Sequence, residues 1–144
     1  MNTKIRKYFV VLLTFLFIGC AINGPVYQKV NKIPENSGVV YIYRPSHFRP
    51  GEGLAPNLYR SKGTKYLTKI YNGGYFPYFV EPGEIDFSVA TETESSVTLN
   101  IAPGKIYYIK LTMGMGVWVL RPHLIVVDPE TAEKEIAECK LIPK

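Results

Sequence analysis

Ile85-Asp86-Phe87-Ser88-Val89-Ala90 and Val97-Thr98-Leu99-Asn100-Ile101-Ala102 decide the fold class. In each stretch an apolar residue alternates with a polar or small one. A period of two puts the apolar row on one face of an extended chain. Outward from this pair, aromatic and β-branched residues recur in short runs separated by Gly, Pro and Asn. That is the pattern of an all-β sandwich or barrel. Further strands are predicted at Val39–Arg44, stopped by Pro45, and at Leu54–Arg60 and Lys65–Tyr71 around a Ser61-Lys62-Gly63-Thr64 turn. Asn72-Gly73 reads as a hairpin turn, since both residues tolerate positive φ. Ile106–Met113 is apolar on both faces, as a central strand would be. Val117–Arg121 and His123–Val127 continue the sheet across Pro122, which a central strand tolerates poorly. The expectation is a small antiparallel β-sandwich of about seven to eight strands.

One motif occurs twice. Val80-Glu81-Pro82-Gly83-Glu84-Ile85-Asp86-Phe87 is echoed 21 residues later by Ile101-Ala102-Pro103-Gly104-Lys105-Ile106-Tyr107-Tyr108. Proline sets φ for the first central position of a type II turn, and glycine supplies positive φ at the second. Pro82, Gly83, Pro103 and Gly104 are therefore predicted structural turns, each starting a strand with an inward row two and four residues on. The chain then changes character. Asp128 can cap a helix with Pro129 at its first position, and Glu130 and Glu133 favour the helix dipole. Ala132, Ile136 and Cys139 fall on one stripe that would pack on the sheet.

The N-terminus reads as a targeting segment. Lys4, Arg6 and Lys7 precede eleven residues, Tyr8 to Ile18, interrupted only by Thr14. As a helix they span roughly 16 Å, about half a bilayer core, which suits a secretory signal and falls short of a membrane anchor. Gly19-Cys20 follows directly, and this junction resembles the bacterial lipobox, with Phe17 where leucine is usual. The resemblance implies cleavage before Cys20, a diacylglycerol on its thiol and an acylated amine. By resemblance to enterobacterial lipoproteins, Ala21 after the cysteine would favour export to the outer membrane. The expected divisions are a signal peptide (1–19), a lipidated cysteine with a linker (20–37) and a β-sandwich domain with its C-terminal helix (38–144). The linker, Ala21 to Ser37, carries Gly24, Pro25, Pro34 and Asn36 without periodicity and would reach at most about 60 Å.

The full chain has 144 residues and a net charge of +5, which alone would invite a nucleic-acid partner. Cutting before Cys20 leaves 14 basic against 12 acidic side chains on 125 residues, a net +2. No nucleic acid is expected as a partner. With its sulfur occupied, Cys20 leaves Cys139 as the single thiol, so no intrachain disulfide is possible. Its helical stripe favours burial over an intermolecular bridge.

Signals for chemistry are sparse. His47 and His123 stand 76 positions apart without a second ligand at metal spacing, so no metal and no cofactor are expected. The serines lack a Gly-x-Ser-x-Gly elbow. Glu81, Glu84 and Asp86 include carboxylates of the type glycoside cleavage uses, but nothing sets them apart from a solvated strand face. Gly114-Met115-Gly116 reads as a turn. Two features stand higher. The segment from Arg44 to Gly53 is a long basic loop in which Arg44, His47, Phe48 and Arg49 are candidate binding residues. The mature chain also has ten tyrosines, whose faces can stack on sugars or simply fill a half-buried sheet.

The lipobox, the linker, Val40-Tyr41-Ile42-Tyr43-Arg44-Pro45, Gly74-Tyr75-Phe76, Pro82-Gly83 and Gly104-Lys105-Ile106-Tyr107-Tyr108 occur in an order that resembles a family of small bacterial lipoproteins. The family is called domain of unknown function 2846, and the chain is also similar to Pro-Gly-turn sandwiches of the PEGA type. The resemblance covers most of residues 37–128, while Leu54 to Thr64 departs from its usual short hairpin. It implies a sandwich fold and an envelope location, with no activity and no catalytic residues to carry over. The expectation for function is a non-enzymatic envelope lipoprotein facing the periplasm, held to the membrane through lipid on Cys20 and presenting its 45–53 loop to an envelope protein. The alternative is a glycan-binding protein or an enzyme acting on cell-wall material.

Overall fold

Gly38–Tyr43 (β1) is buried at every position, and a strand covered on both faces has to lie between two layers. The computed structural model, which describes residues 22–47, 52–61, 63–116 and 120–143, shows what those layers are. After β1 come Asn57–Arg60 (β2), Lys65–Lys69 (β3), Gly74–Val80 (β4), Gly83–Ala90 (β5), Glu94–Ile101 (β6), Ile106–Gly114 (β7) and Arg121–Val127 (β8). The helix Pro129–Ile136 (α1) and a short strand Lys140–Leu141 (β9) complete the order. One sheet runs β8-β7-β1-β4-β9 and the other β3-β2-β5-β6.

The inward faces of the two sheets enclose one core. Val40, Ile42, Phe76, Ile109 and Leu111 from the first sheet meet Leu58, Ile85, Phe87, Val89 and Leu99 from the second. Burying each such side chain contributes roughly 1.5–3 kcal/mol. The alternate residues of the first sheet, Val39, Tyr41, Tyr43, Tyr75 and Tyr108, form a second cluster with Ala132, Ile136 and Cys139. The architecture is thus an all-β sandwich with a helical layer on one outer face.

The sandwich is mixed. β1 pairs antiparallel with β4 but parallel with β7, and β9 lies parallel to β4. The cause is the Pro103-Gly104 corner, which returns the chain to the first sheet at the end where β1 starts. There Val39 N donates to Lys105 O (3.0 Å) and Gly104 N to Ser37 O (2.9 Å). Two strands that start at one end and lie side by side must run parallel. The ninth strand is β9, whose two residues are too few to show a period.

The two Pro-Gly motifs share a place and differ in shape. Both carry the chain between sheets, and they sit together because Gly83 pairs with Ile101. Gly104 has φ +70° and Lys105 N reaches Ala102 O at 3.4 Å, as a type II turn requires. Gly83 instead has φ +129° and is already the first residue of β5. Ile85 and Phe87 face the inter-sheet core, whereas Ile106 and Tyr108 face the helical layer. The second motif therefore does not start a row directed into the sandwich.

Other expectations resolve on physical grounds. Pro122 lies within β8, opposite Met113, and is accommodated because β8 is an edge strand. Residues 117–119 lie outside the described residues. Asn72-Gly73 is not a hairpin turn: it joins β3 of one sheet to β4 of the other. Only Gly73 has positive φ (+71°), and Gly74 N closes the turn on Tyr71 O at 3.0 Å. α1 has the expected cap, with Thr131 N donating to Asp128 Oδ1 at 3.0 Å, and buries Ala132 and Ile136; Cys139 lies beyond the end of the helix rather than on its stripe, and is buried there.

The segment read as a linker lies on the domain. Tyr27 N donates to Cys139 O and Leu141 N to Pro25 O, both at 2.8 Å, while Val26 bridges antiparallel to Lys140. Gly24 passes so close that a Cβ there would lie 2.0 Å from Leu141 O. Pairing needs only backbone groups, so proline, glycine and absent periodicity did not prevent it.

Candidate functional site

The end of the sandwich where β1 finishes gathers the loop residues singled out by sequence. Arg44 follows β1 directly, and its side chain turns inward. It pairs with Glu52, with both side chains buried, and donates to Leu54 O at 2.6 Å and Glu52 O at 3.2 Å. A guanidinium saturated in this way anchors the loop and presents no surface to a partner. Its place among the candidate binding residues is therefore corrected. An arginine beside a strand end looks exposed in sequence, because its counter-charge lies across the loop.

His47 does sit at the surface. Its N–H donates to Asn72 Oδ1 (3.0 Å), and Asn72 Nδ2 donates to its carbonyl (2.6 Å). This two-way clamp ties the loop to the Tyr71–Gly74 turn, a role for Asn72 that turn propensity alone did not reveal. Phe48, Arg49 and Cys20 lie outside the described residues. Pro82, Gly83, Pro103 and Gly104 occupy the opposite end and serve the corners described above.

Most tyrosines on the first sheet are committed to the fold. Tyr41 and Tyr108 stack at 5.5 Å, and Tyr27 meets Tyr41 and Tyr75 edge-on at 5.2 and 5.3 Å. Tyr27 and Tyr108 share a hydroxyl hydrogen bond (3.2 Å), and Tyr108 donates to Glu133 (3.1 Å). Tyr43 donates to Glu135 at 2.6 Å. Burial first, then the neighbouring Glu135, holds the Tyr43 hydroxyl well above its usual range. Burial pushes Tyr27 up to about 12. Glu133 is held low by hydrogen bonds from Lys29 and Tyr108. For Glu135, burial acts upward but is outweighed by hydrogen bonds from Lys110 and Tyr43. The network therefore holds neutral phenols against carboxylates, cementing α1 and the N-terminal segment to the sheet. Tyr66, by contrast, is exposed, with Tyr59 edge-on at 5.8 Å.

Two depressions bear on chemistry. The first, about 450 Å³, is lined by Arg60, Phe79, Val80, Glu81, Pro82, Glu84 and Ile85. Glu81 and Glu84 are exposed there, without the apolar enclosure that a glycosidase general acid needs. The second, about 580 Å³, lies beside β9 and is lined by Ile22, Asn23, Gly24, Pro25, Tyr71, Leu141 and Pro143. Its walls are largely apolar, and it was invisible in the sequence because residues from both ends of the chain build it. Among the described residues no group of three or more His, Cys, Asp or Glu is placed to hold a metal. Comparison of the chain with protein-family models, curated proteins and solved structures finds no match.

Proposed function

We propose that this protein is a lipid-anchored component of the bacterial envelope, joined to the outer membrane through Cys20 and facing the periplasm. Its sandwich serves as a non-catalytic binding or structural module. The observation that carries the reading is the order Lys4, Arg6 and Lys7, then Tyr8 to Ile18, then Gly19-Cys20. Charge, an apolar run too short to span, and a small residue before cysteine agree on one processing chemistry. The non-catalytic part is supported by how the buried polar groups are used. Arg44, Glu52, Tyr43 and Tyr108 all have partners within the fold, and no buried side-chain nitrogen or oxygen among the described residues lacks one. These groups serve to hold the loop and the helix to the sandwich.

Cys20→Ser tests the anchor. Expression with a clickable palmitate analogue, followed by membrane fractionation, is expected to give a labelled, membrane-bound wild type and an unlabelled, soluble variant. Unchanged labelling and fractionation would overturn the reading. Photocrosslinking from His47 in intact envelopes tests the module, with a protein adduct expected. A glycan adduct, above all from Tyr66, would favour the cell-wall alternative.

A further inference from the structure

The lipid anchor and the docked N-terminal segment together constrain how the domain lies. If Cys20 and Ser37 bounded a free linker, the domain would float tens of ångströms from the bilayer. The segment is instead paired to β9 and the residue before it at Pro25, Val26 and Tyr27. Ile22 packs against the main core, close enough that a Cβ on Gly74 would lie 2.9 Å from its Cδ1. Cys20 is two residues before Ile22, so its Cα lies no more than about 7 Å from that of Ile22. In sequence, one residue separates Cys20 from Ile22.

We propose that the groove-bearing end of the sandwich is a membrane-resting surface, apposed to the leaflet that holds the lipid on Cys20. This rests on the anchored reading above and deepens it. The surface has the chemistry a bilayer interface favours. Ile22, Pro25, Leu141 and Pro143 give it apolar walls and Tyr71 an amphipathic ring. Val26, next to Pro25 in the chain and bridged to Lys140, is half exposed. Lys140, exposed on β9, suits anionic headgroups. The Asn72 clamp places Ser46 and His47 at this same end. The loop start therefore faces the membrane side, and the Pro82 and Pro103 corners point away, about 20 Å distant along β4.

The test uses the full-length lipidated protein in phosphatidylethanolamine–phosphatidylglycerol vesicles carrying nitroxide lipids. Val26→Cys on this end and Glu81→Cys at the far end of β4 each receive an environment-sensitive thiol probe; both residues are exposed, so the fold should tolerate them. The expected result is a blue-shifted probe at position 26, quenched at least several-fold more than the probe at 81. Equal, weak quenching at both positions, with palmitate label present on Cys20, overturns the membrane-resting surface and leaves the anchor intact. Absence of the label overturns both. A concentration-dependent dimer that shields position 26 from the lipid quencher assigns the groove to a second copy and also overturns the proposal.

Discussion

Arg44 and Glu52 form an ion pair in the interior, with the arginine side chain 1% and the glutamate 8% exposed. It fixes the start of the 45–53 loop from within, so the basic residue closest to the sheet is unavailable to ligands. Removing one partner strands a buried charge, and Arg44→Ala is expected to cost about 3–5 kcal/mol. Arg44→Met combined with Glu52→Leu should cost distinctly less. Urea denaturation midpoints measure both, and a wild-type midpoint for Arg44→Ala would contradict the burial.

Cys139 should be inert in the native protein. Burial first, then Glu135 and Glu138, pushes its thiol up to about 12, leaving roughly a thousandfold less thiolate at neutral pH than an unfolded chain has. Thiol reagents at pH 8 are expected to label it only after denaturant is added. A disulfide-linked dimer on a non-reducing gel would contradict this.

Stability should fail at both ends of the pH range through the tyrosine–glutamate layer. Tyr27, Tyr41, Tyr43, Tyr75 and Tyr108 are all raised, burial being the largest cause. A raised folded-state value contributes stability below the ordinary 9.0 of the thiol and 10.0 of the phenols, and loses it as pH rises beyond them. Glu133 and Glu135 are lowered, so their contribution is complete above the ordinary 4.5 and lost as pH falls. Tm measured against pH should be flat from about 5 to 9 and decline on either side.

Tyr27→Ala should release the N-terminal segment without unfolding the sandwich. It removes two edge-on ring contacts and the bond to Tyr108, a loss of about 3 kcal/mol concentrated on residues 22–33. Limited proteolysis should cut there far faster than in wild type, with the main thermal transition retained. Loss of that transition would show that the segment belongs to the cooperative core.

Ile136→Ala tests the helical layer. Its fully buried side chain is expected to cost about 2–5 kcal/mol and to make Cys139 reactive, since α1 holds that thiol down. Thiol labelling of the native variant reads the second effect directly.

Local rules were legible in the chain because their causes are local. Ile85–Val89 and Val97–Ile101 alternate on a pleat, Asp128 caps its own helix, and Pro122 marks an edge wherever that edge lies. A sandwich with a short terminal helix follows from these alone. The tertiary structure decided what depends on partners distant in sequence. Tyr27 meets Tyr108 across 81 positions, Pro25 pairs with Leu141, and Arg44 finds Glu52 on the far side of a loop. Such pairings carry no period and little propensity; they arise when the sheets close and leave a backbone edge to fill or a charge to neutralise. They turned an expected tether into part of the domain, and an expected binding arginine into its anchor.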